Sequence, residues 1–334
     1  MHMSDALLSP AVGGAMAAVG VAAISYAAKK TAALDDKKIP VMGVMGAFVF
    51  AAQMINFTIP GTGSSGHIGG GVLLAAILGP CPALVTLAAV LLIQCLFFAD
   101  GGLLAYGCNV FNMGVTSCLA YRFLFLPFVR KGISAKTLLP ASLVATVAGL
   151  QAGAFAVVVE TWASGLTQLP FGAFLLAMQP IHLAIGFVEG LVTAAVLSAV
   201  YRAEPEILHA TAASVRAAGS LKKLIAVFAL LALVTGGGLS FFASGLPDGL
   251  EWSIEKTAGE EQPESNTPVH AAAGSIVGST AIMPDYAFPG EESALGTAAA
   301  GILGSVITLV CAGGAGFIIH AARGRRGKHA VNNA

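Results

Sequence analysis

Met1 and His2 can wrap a metal ion with three nitrogens. The Met1 amine and the His2 amide nitrogen close a five-membered ring, and that amide nitrogen with the His2 imidazole closes a six-membered one. One more nitrogen completes a square, and His67 offers an imidazole for it. A planar nitrogen field suits Ni(II) or Cu(II), whereas a tetrahedral structural site suits Zn(II). A histidine near the start of a chain is common, so this chemistry depends on whether the rest of the sequence brings His67 to the first two residues.

The positioning elements are membrane helices. The 334-residue chain is 56% hydrophobic and 10% charged, with a mean hydropathy of +0.83, against the quarter charged that is usual for soluble domains. Its 41 glycines suit helices that pack closely in lipid, where no hydrophobic force drives them together. A net charge of zero argues against nucleic acid as a partner. Cys81, Cys95, Cys108, Cys118 and Cys311 lie in or beside apolar runs without a C-x-x-C pair and read as small buried residues. No basic residue precedes the first apolar run and Asp5 stands before it, so a cleaved signal peptide is not expected. The bulk of His2 is expected to preserve Met1, which the chelate requires.

Apolar runs predict segments at Ala6–Ala28, Val41–Phe57, a short Gly71–Leu78, Ala83–Phe98, Leu103–Ala120, Leu139–Val159, Phe171–Val200, Leu224–Phe242 and Ala298–Ala321. Placing the N-terminus outside puts all 17 Lys and Arg except Lys256 in loops on the cytoplasmic side. By the positive-inside rule the N-terminus is extracytoplasmic and the C-terminus cytoplasmic. Residues 202–223 read as a cytoplasmic linker. From His67 to Gly79 the chain rises only about 18 Å as helix, against a core of roughly 30 Å, so the loop Pro60 to Gly71 dips into the bilayer from outside. Irregular backbone at that depth must be buried in protein or line a cavity. His67 is thereby carried down to where Met1 and His2 can fold in.

Other residues suggest supporting roles. Asn109 and Asn112 share a helical face and, as buried amides, either orient His67 or bond helix to helix. Ser64 and Ser65 are placed to brace the His67 loop. Asp100, beside Gly101 and Gly102, reads as a turn before a cation attractor. Glu189, taken as the sole carboxylate well inside a span, has His182 two turns before it on the same face. Ionisable residues at such depth are functional candidates, although a structural pair or a partner contact is as good a reading as metal contact. Gly14, Ala18 and Ala22, with Ala11 and Ala15, form a small-residue stripe, read first as internal packing and second as a face for another subunit. The acidic stretch Ala243 to Leu295 reads first as a solvated outside loop and second as one that attracts divalent cations or contacts the N-terminal part of the chain, and His270 adds little.

The start Met1-His2, the loop Gly66-His67-Ile-Gly-Gly-Gly71 and the run Phe98 to Gly114 (FADGGLLAYGCNVFNMG) closely resemble the substrate-capture subunit of cobalt/nickel energy-coupling factor transporters, the CbiM/NikM family. The resemblance covers about residues 1–215. Residues 216–334, with Pro247-Asp-Gly-Leu-Glu251, resemble the CbiN/NikN-type auxiliary subunit in its PDGLE form. It implies an all-α polytopic membrane protein: about seven helices of capture subunit plus two C-terminal helices. It also implies a metal held by the Met1 amine, the His2 amide and imidazole nitrogens, and His67. The implied partners are a transmembrane coupling subunit and two cytoplasmic ATPases. Consistently, no G-x-x-x-x-G-K-[ST] loop occurs, and Gly324 to Lys328 lacks its spacing. The implied substrate is Ni(II) or Co(II) with no organic cofactor. The planar field and the PDGLE tail favour Ni(II), although ligand type alone settles little.

Three rivals stand beside a transporter subunit. An intramembrane metalloenzyme lacks H-E-x-x-H, a base beside His67 and an open coordination position. A self-sufficient channel or carrier would move metal without ATPases, and a membrane metal sensor would move none.

Overall fold

The computed structural model describes all residues except 33–38, 131, 167–168, 204, 206–207, 209–219, 260–266, 289, 291–292 and 333–334. Several charges used for topology (Lys37, Lys38, Lys131, Arg216), most of the linker, and Glu260, Glu261, Glu264, Glu291 and Glu292 of the acidic loop lie outside the described residues.

The chain is an all-α membrane protein. Helices α1 (Pro10–Thr31), α2 (Ile39–Gln53), α3 (Gly71–Leu78), α4 (Pro80–Phe98), α5 (Tyr106–Val129), α6 (Ala135–Ser164) and α7 (Phe171–Ala203) form the first part. The second part consists of α8 (Ser220–Gly237), α9 (Gly249–Ala258), α10 (Pro268–Thr280) and α11 (Ala294–Asn332). Among the described residues, 6 helices are long and apolar enough to cross a membrane. The segments expected from hydropathy fall on α1 to α8 and α11.

Local chemistry sets the breaks. Ser9 caps α1 by accepting from the Val12 amide, and Pro10 occupies its first position, where a missing N–H costs nothing. Gly79, at φ 90°, separates α3 from α4, and Pro80 starts the next helix. Helix α5 contains two π-wound stretches, Val110–Val115 and Tyr121–Phe125, which shift the face presented along it.

Two features depart from expectation. The glycine-rich loop contains a short antiparallel hairpin, β1 (Phe57–Ile59) and β2 (Ser64–Gly66), pairing Thr58 with Ser65. The stretch expected as a solvated loop folds into α9 and α10, which pack on α7 and α4. Asp248 caps α9 through its side chain, and Glu251 reaches back to the Asp248 amide, a capping box. The polar composition of α9 hides that it buries Leu250, Ser253 and Ile254.

The core runs through α2, which is buried from Val41 to Gln53 and enclosed by α4, α8 and α11. The small-residue stripe is corrected. Gly14, Ala18 and Ala22 face outward, and α1 packs instead through Gly13, Gly20 and Ala27. Gly20 lies against Gly107, whose missing Cβ leaves room for the α1 backbone at Met16 and Ala17.

A candidate metal site at the chain start

The first eight residues run into the protein and are held there by backbone contacts. Asn109 accepts from the Met3 amide at 2.8 Å and donates to the Met3 carbonyl at 3.1 Å. The Gly102 amide donates to the same carbonyl at 2.9 Å. Asp5 accepts from the Ala105 amide at 2.9 Å. His270 Nε2 stands 3.0 Å and 2.9 Å from the carbonyls of Asp5 and Leu8. Met1, Met3, Leu7 and Leu8 are buried, so the segment is a plug.

This placement brings the Met1 amine nitrogen to 3.0 Å from His67 Nε2. His67 is 8% exposed, and its Nδ1 lies 3.1 Å from the Ile68 carbonyl oxygen. The two amides after it, Gly69 and Gly70, donate to the two oxygens of Glu189 at 2.9 Å each. Gln53 donates to the Gly69 carbonyl at 2.8 Å, and Gln94 to Gln53 at 2.8 Å. A buried carboxylate and two amides thus replace the hydrogen bonds that a non-helical loop would otherwise lack. Gly70, at φ 74°, packs against Val49, where a Cβ would clash.

The His2 ring stacks on the His67 ring, centroids 5.1 Å apart and planes 13° from parallel. Its Nδ1 faces Asp100 Oδ1 at 3.3 Å and its Nε2 faces Gln94 Oε1 at 3.1 Å. Burial pushes the His2 pKa down to about 4, against the raising effect of Asp100. The ring is therefore neutral at pH 7 and keeps one lone pair for a metal. The Met1 amine and His67 Nε2 adjoin, while the His2 ring nitrogens are engaged by Asp100 and Gln94.

The second part of the chain enters the same site. Asp248 Oδ2 lies 2.6 Å from the Met1 amine and 3.7 Å from His67 Nε2. Burial raises the Asp248 carboxyl, but the amine and His67 outweigh it and hold the group well below the usual carboxylate range. Ser65 fixes the approach: its amide donates to the Pro247 carbonyl at 2.8 Å and its hydroxyl to the Leu246 carbonyl at 2.7 Å. Ser64 Oγ lies 3.4 Å from the Pro247 oxygen, and Trp252 Nε1 donates to the Thr62 carbonyl at 3.0 Å. Tyr286 donates its hydroxyl to Asp100 at 2.5 Å. Among the described residues, no three His, Cys, Asp or Glu side chains gather to hold an ion; the Met1 amine is the further nitrogen that stands beside His67 and Asp248.

Several expectations need correction. Asn109 and Asn112 do not orient His67: Asn109 holds Met3, and Asn112 donates to Glu160 at 2.7 Å. Glu189 is not the sole carboxylate deep in a span, because α6 continues past Val159 and buries Glu160. His182 and Glu189 do not pair: Glu189 serves the loop amides, while His182 Nδ1 lies 2.8 Å from the Met178 carbonyl. Asp100 does more than turn the chain, and His270 clasps the plug. Gln53, Gln94 and Glu160 escaped sequence reading because an amide or a carboxylate near a span end carries no periodic signal.

A polytopic helical membrane protein that carries the start of its chain inward to a buried histidine has the build of a membrane transport protein for a transition metal. Residues 2–207 match the family described as the cobalt uptake substrate-specific transmembrane region, CbiM, and residues 222–321 match the PDGLE domain. The chain belongs to the CbiM family of nickel and cobalt transport proteins. It is 32% identical to the putative fused nickel transport protein NikMN of Archaeoglobus fulgidus, over 92% of this chain and 96% of that one. It is 30% identical to the probable fused nickel transport protein LarMN of Lactiplantibacillus plantarum, over 93% and 96%. A crystal structure of a transition metal transporter is 31% identical with a TM-score of 0.55, covering 65% of this chain and all of that one.

Proposed function

We propose that this chain captures Ni(II) or Co(II) on the extracytoplasmic face as the substrate-specific subunit of an ATP-driven energy-coupling factor transporter. The ion is held by the Met1 amine, the His2 amide and imidazole nitrogens, and His67. The observation that carries this reading is the 3.0 Å approach of the Met1 amine to His67 Nε2 at the end of a plug fixed by Asn109, Gly102 and Asp5.

The chemistry follows from the donors. The amine and the His2 amide each give up a proton as their lone pairs turn to the ion, and loss of the amide proton leaves a negative charge that lowers the cost of burying a dication. The neutral His2 ring donates without further proton loss, and His67 presents Nε2 toward the Met1 amine. Residues 1–215 form the capture module. Residues 216–334 form an auxiliary module that grips the plug through Asp248, His270 and the Tyr286–Asp100 bond, and so governs loading. A coupling subunit takes the outward stripe of Gly14, Ala18 and Ala22, and two cytoplasmic ATPases supply the energy.

One extra residue before Met1, or His67→Ala, is expected to abolish Ni(II) binding by the purified chain; unchanged affinity in both would refute the chelate. Metal uptake by this chain alone in liposomes, without ATPases, would favour the self-sufficient carrier.

A further inference from the structure

We propose that Asp248 is itself a metal-binding residue, giving the ion an oxygen donor from the auxiliary module beside the Met1 amine and His67. This rests on the chelate reading above and adds a ligand to it.

The geometry is that of a donor set. An ion takes nitrogen and oxygen ligands at about 2.1 Å, which sets neighbouring donors about 3 Å apart and opposite donors about 4 Å apart. The separations here are 3.0 Å from the Met1 nitrogen to His67 Nε2, 2.6 Å from that nitrogen to Asp248 Oδ2, and 3.7 Å from His67 Nε2 to Asp248 Oδ2. Three atoms so spaced leave a position about 2.1 Å from all of them.

The carboxylate is also pre-set. Asp248 Oδ1 accepts from the amides of Leu250 and Glu251 at 2.8 Å and 3.0 Å, so the first turn of α9 fixes that oxygen and turns Oδ2 toward the amine. A cavity of about 10 Å³, room for one small body, is lined by Met1, His67, Asp248 and His182. His182 is 1% exposed and its Nε2 has no hydrogen-bond partner among the described residues, so a further nitrogen stands in the wall of this cavity.

Charge supplies the reason. When the ammonium of Met1 loses its proton and its lone pair turns to the ion, a dication replaces a single positive charge. The same carboxylate then faces the ion, and together with the deprotonated His2 amide it brings the buried complex to zero net charge, the condition under which burial costs least.

The test uses the full chain in nanodiscs with Ni(II) as the probe. Asp248→Asn keeps a side-chain oxygen to cap α9 but removes the charge. It is expected to weaken Ni(II) binding about tenfold or more and to shift the visible ligand-field spectrum, with Asp248→Glu restoring part of both. Asp248→Asn with wild-type affinity and spectrum overturns the proposal, while His67→Ala without binding in the same series leaves the nitrogen chelate standing. Full binding by His67→Ala refutes the chelate and this proposal with it. Should Asp248→Asn fail to fold, the metal-induced infrared difference spectrum of the wild type decides: a shifted carboxylate stretch supports Asp248 as a ligand, and its absence overturns it.

Discussion

Two segments meet at His67, and they are held in different ways. Met1 to Leu8 is enclosed by its backbone: Asn109, Gly102, Ala105 and His270 bond its peptide groups or its one carboxylate from several directions. Leu246 to Trp252 is held by the hairpin loop through the Ser65 amide and hydroxyl and the Trp252 indole, by the Met1 amine through Asp248, and by the packing of α9 on α7. The peptide groups of the first segment are met from several elements, whereas those of Leu246 and Pro247 are met by the hairpin serines. The difference also shows where sequence changes in the surroundings matter: the Met3 peptide groups depend on the Asn109 side chain, and the Leu246 carbonyl on the Ser65 hydroxyl.

The largest effect is expected where the plug has no spare room. A Cβ at Gly102 would overlap the Asp5 carboxylate and amide, so Gly102→Ala should displace the plug at a cost of about 3 kcal/mol. Ni(II) titration and loss of amide-exchange protection at Met3 would read this; a wild-type titration would mean that the plug is not needed for binding. Asn109→Ala removes both bonds to Met3 and leaves buried peptide groups unpaired, a cost of about 2 kcal/mol, and affinity should fall by a factor of about 30. If affinity held while exchange quickened, the chelate would be independent of its frame.

Smaller effects are expected in the second segment. Ser65→Ala should loosen Leu246–Pro247 by about 1 kcal/mol and raise proteolysis of the Ser244–Gly249 stretch, with little change in the protection of Met3. Equal loosening of both segments would erase the distinction between them. Trp252→Phe removes the bond to the Thr62 carbonyl and weakens the contact of the ring with Lys256, and a change of about 0.5 to 1 kcal/mol in thermal stability is expected, read as a small downward shift of Tm.

Much of this architecture was legible in the sequence. Helices of apolar residues long enough to span announce themselves by length and composition, and Gly79-Pro80 marked the break between α3 and α4. The match of Met1, His2 and His67 to a family pattern singled out residues that the fold indeed brings into contact. The supporting residues were not legible, for physical reasons. Asn109 serves a backbone far from it in sequence, Glu189 satisfies amides of a loop, and His270 acts on carbonyls at the other end of the chain; no local periodicity records such contacts. Helix α9 was missed because its stabilisation comes from a capping box and a narrow buried face, which an acidic composition masks. The outward turn of the Gly14 stripe was missed because Gly13, Gly20 and Ala27 offer an equally small stripe one residue away, and only the position of Gly107 decides between them.

The amides of Ile282 and Met283 both donate to the Phe97 carbonyl at the end of α4, at 3.0 Å and 3.2 Å, so the second part of the chain finishes a helix that belongs to the first. Such contacts are individually modest. Continuity of the polypeptide between Ala203 and Ser220 makes their formation intramolecular, at an effective concentration in about the millimolar range for a short tether. Covalent fusion therefore lets hydrogen bonds between the two parts re-form whenever they break without a second-order encounter, and adds this to the packing of α8 and α11 around α2.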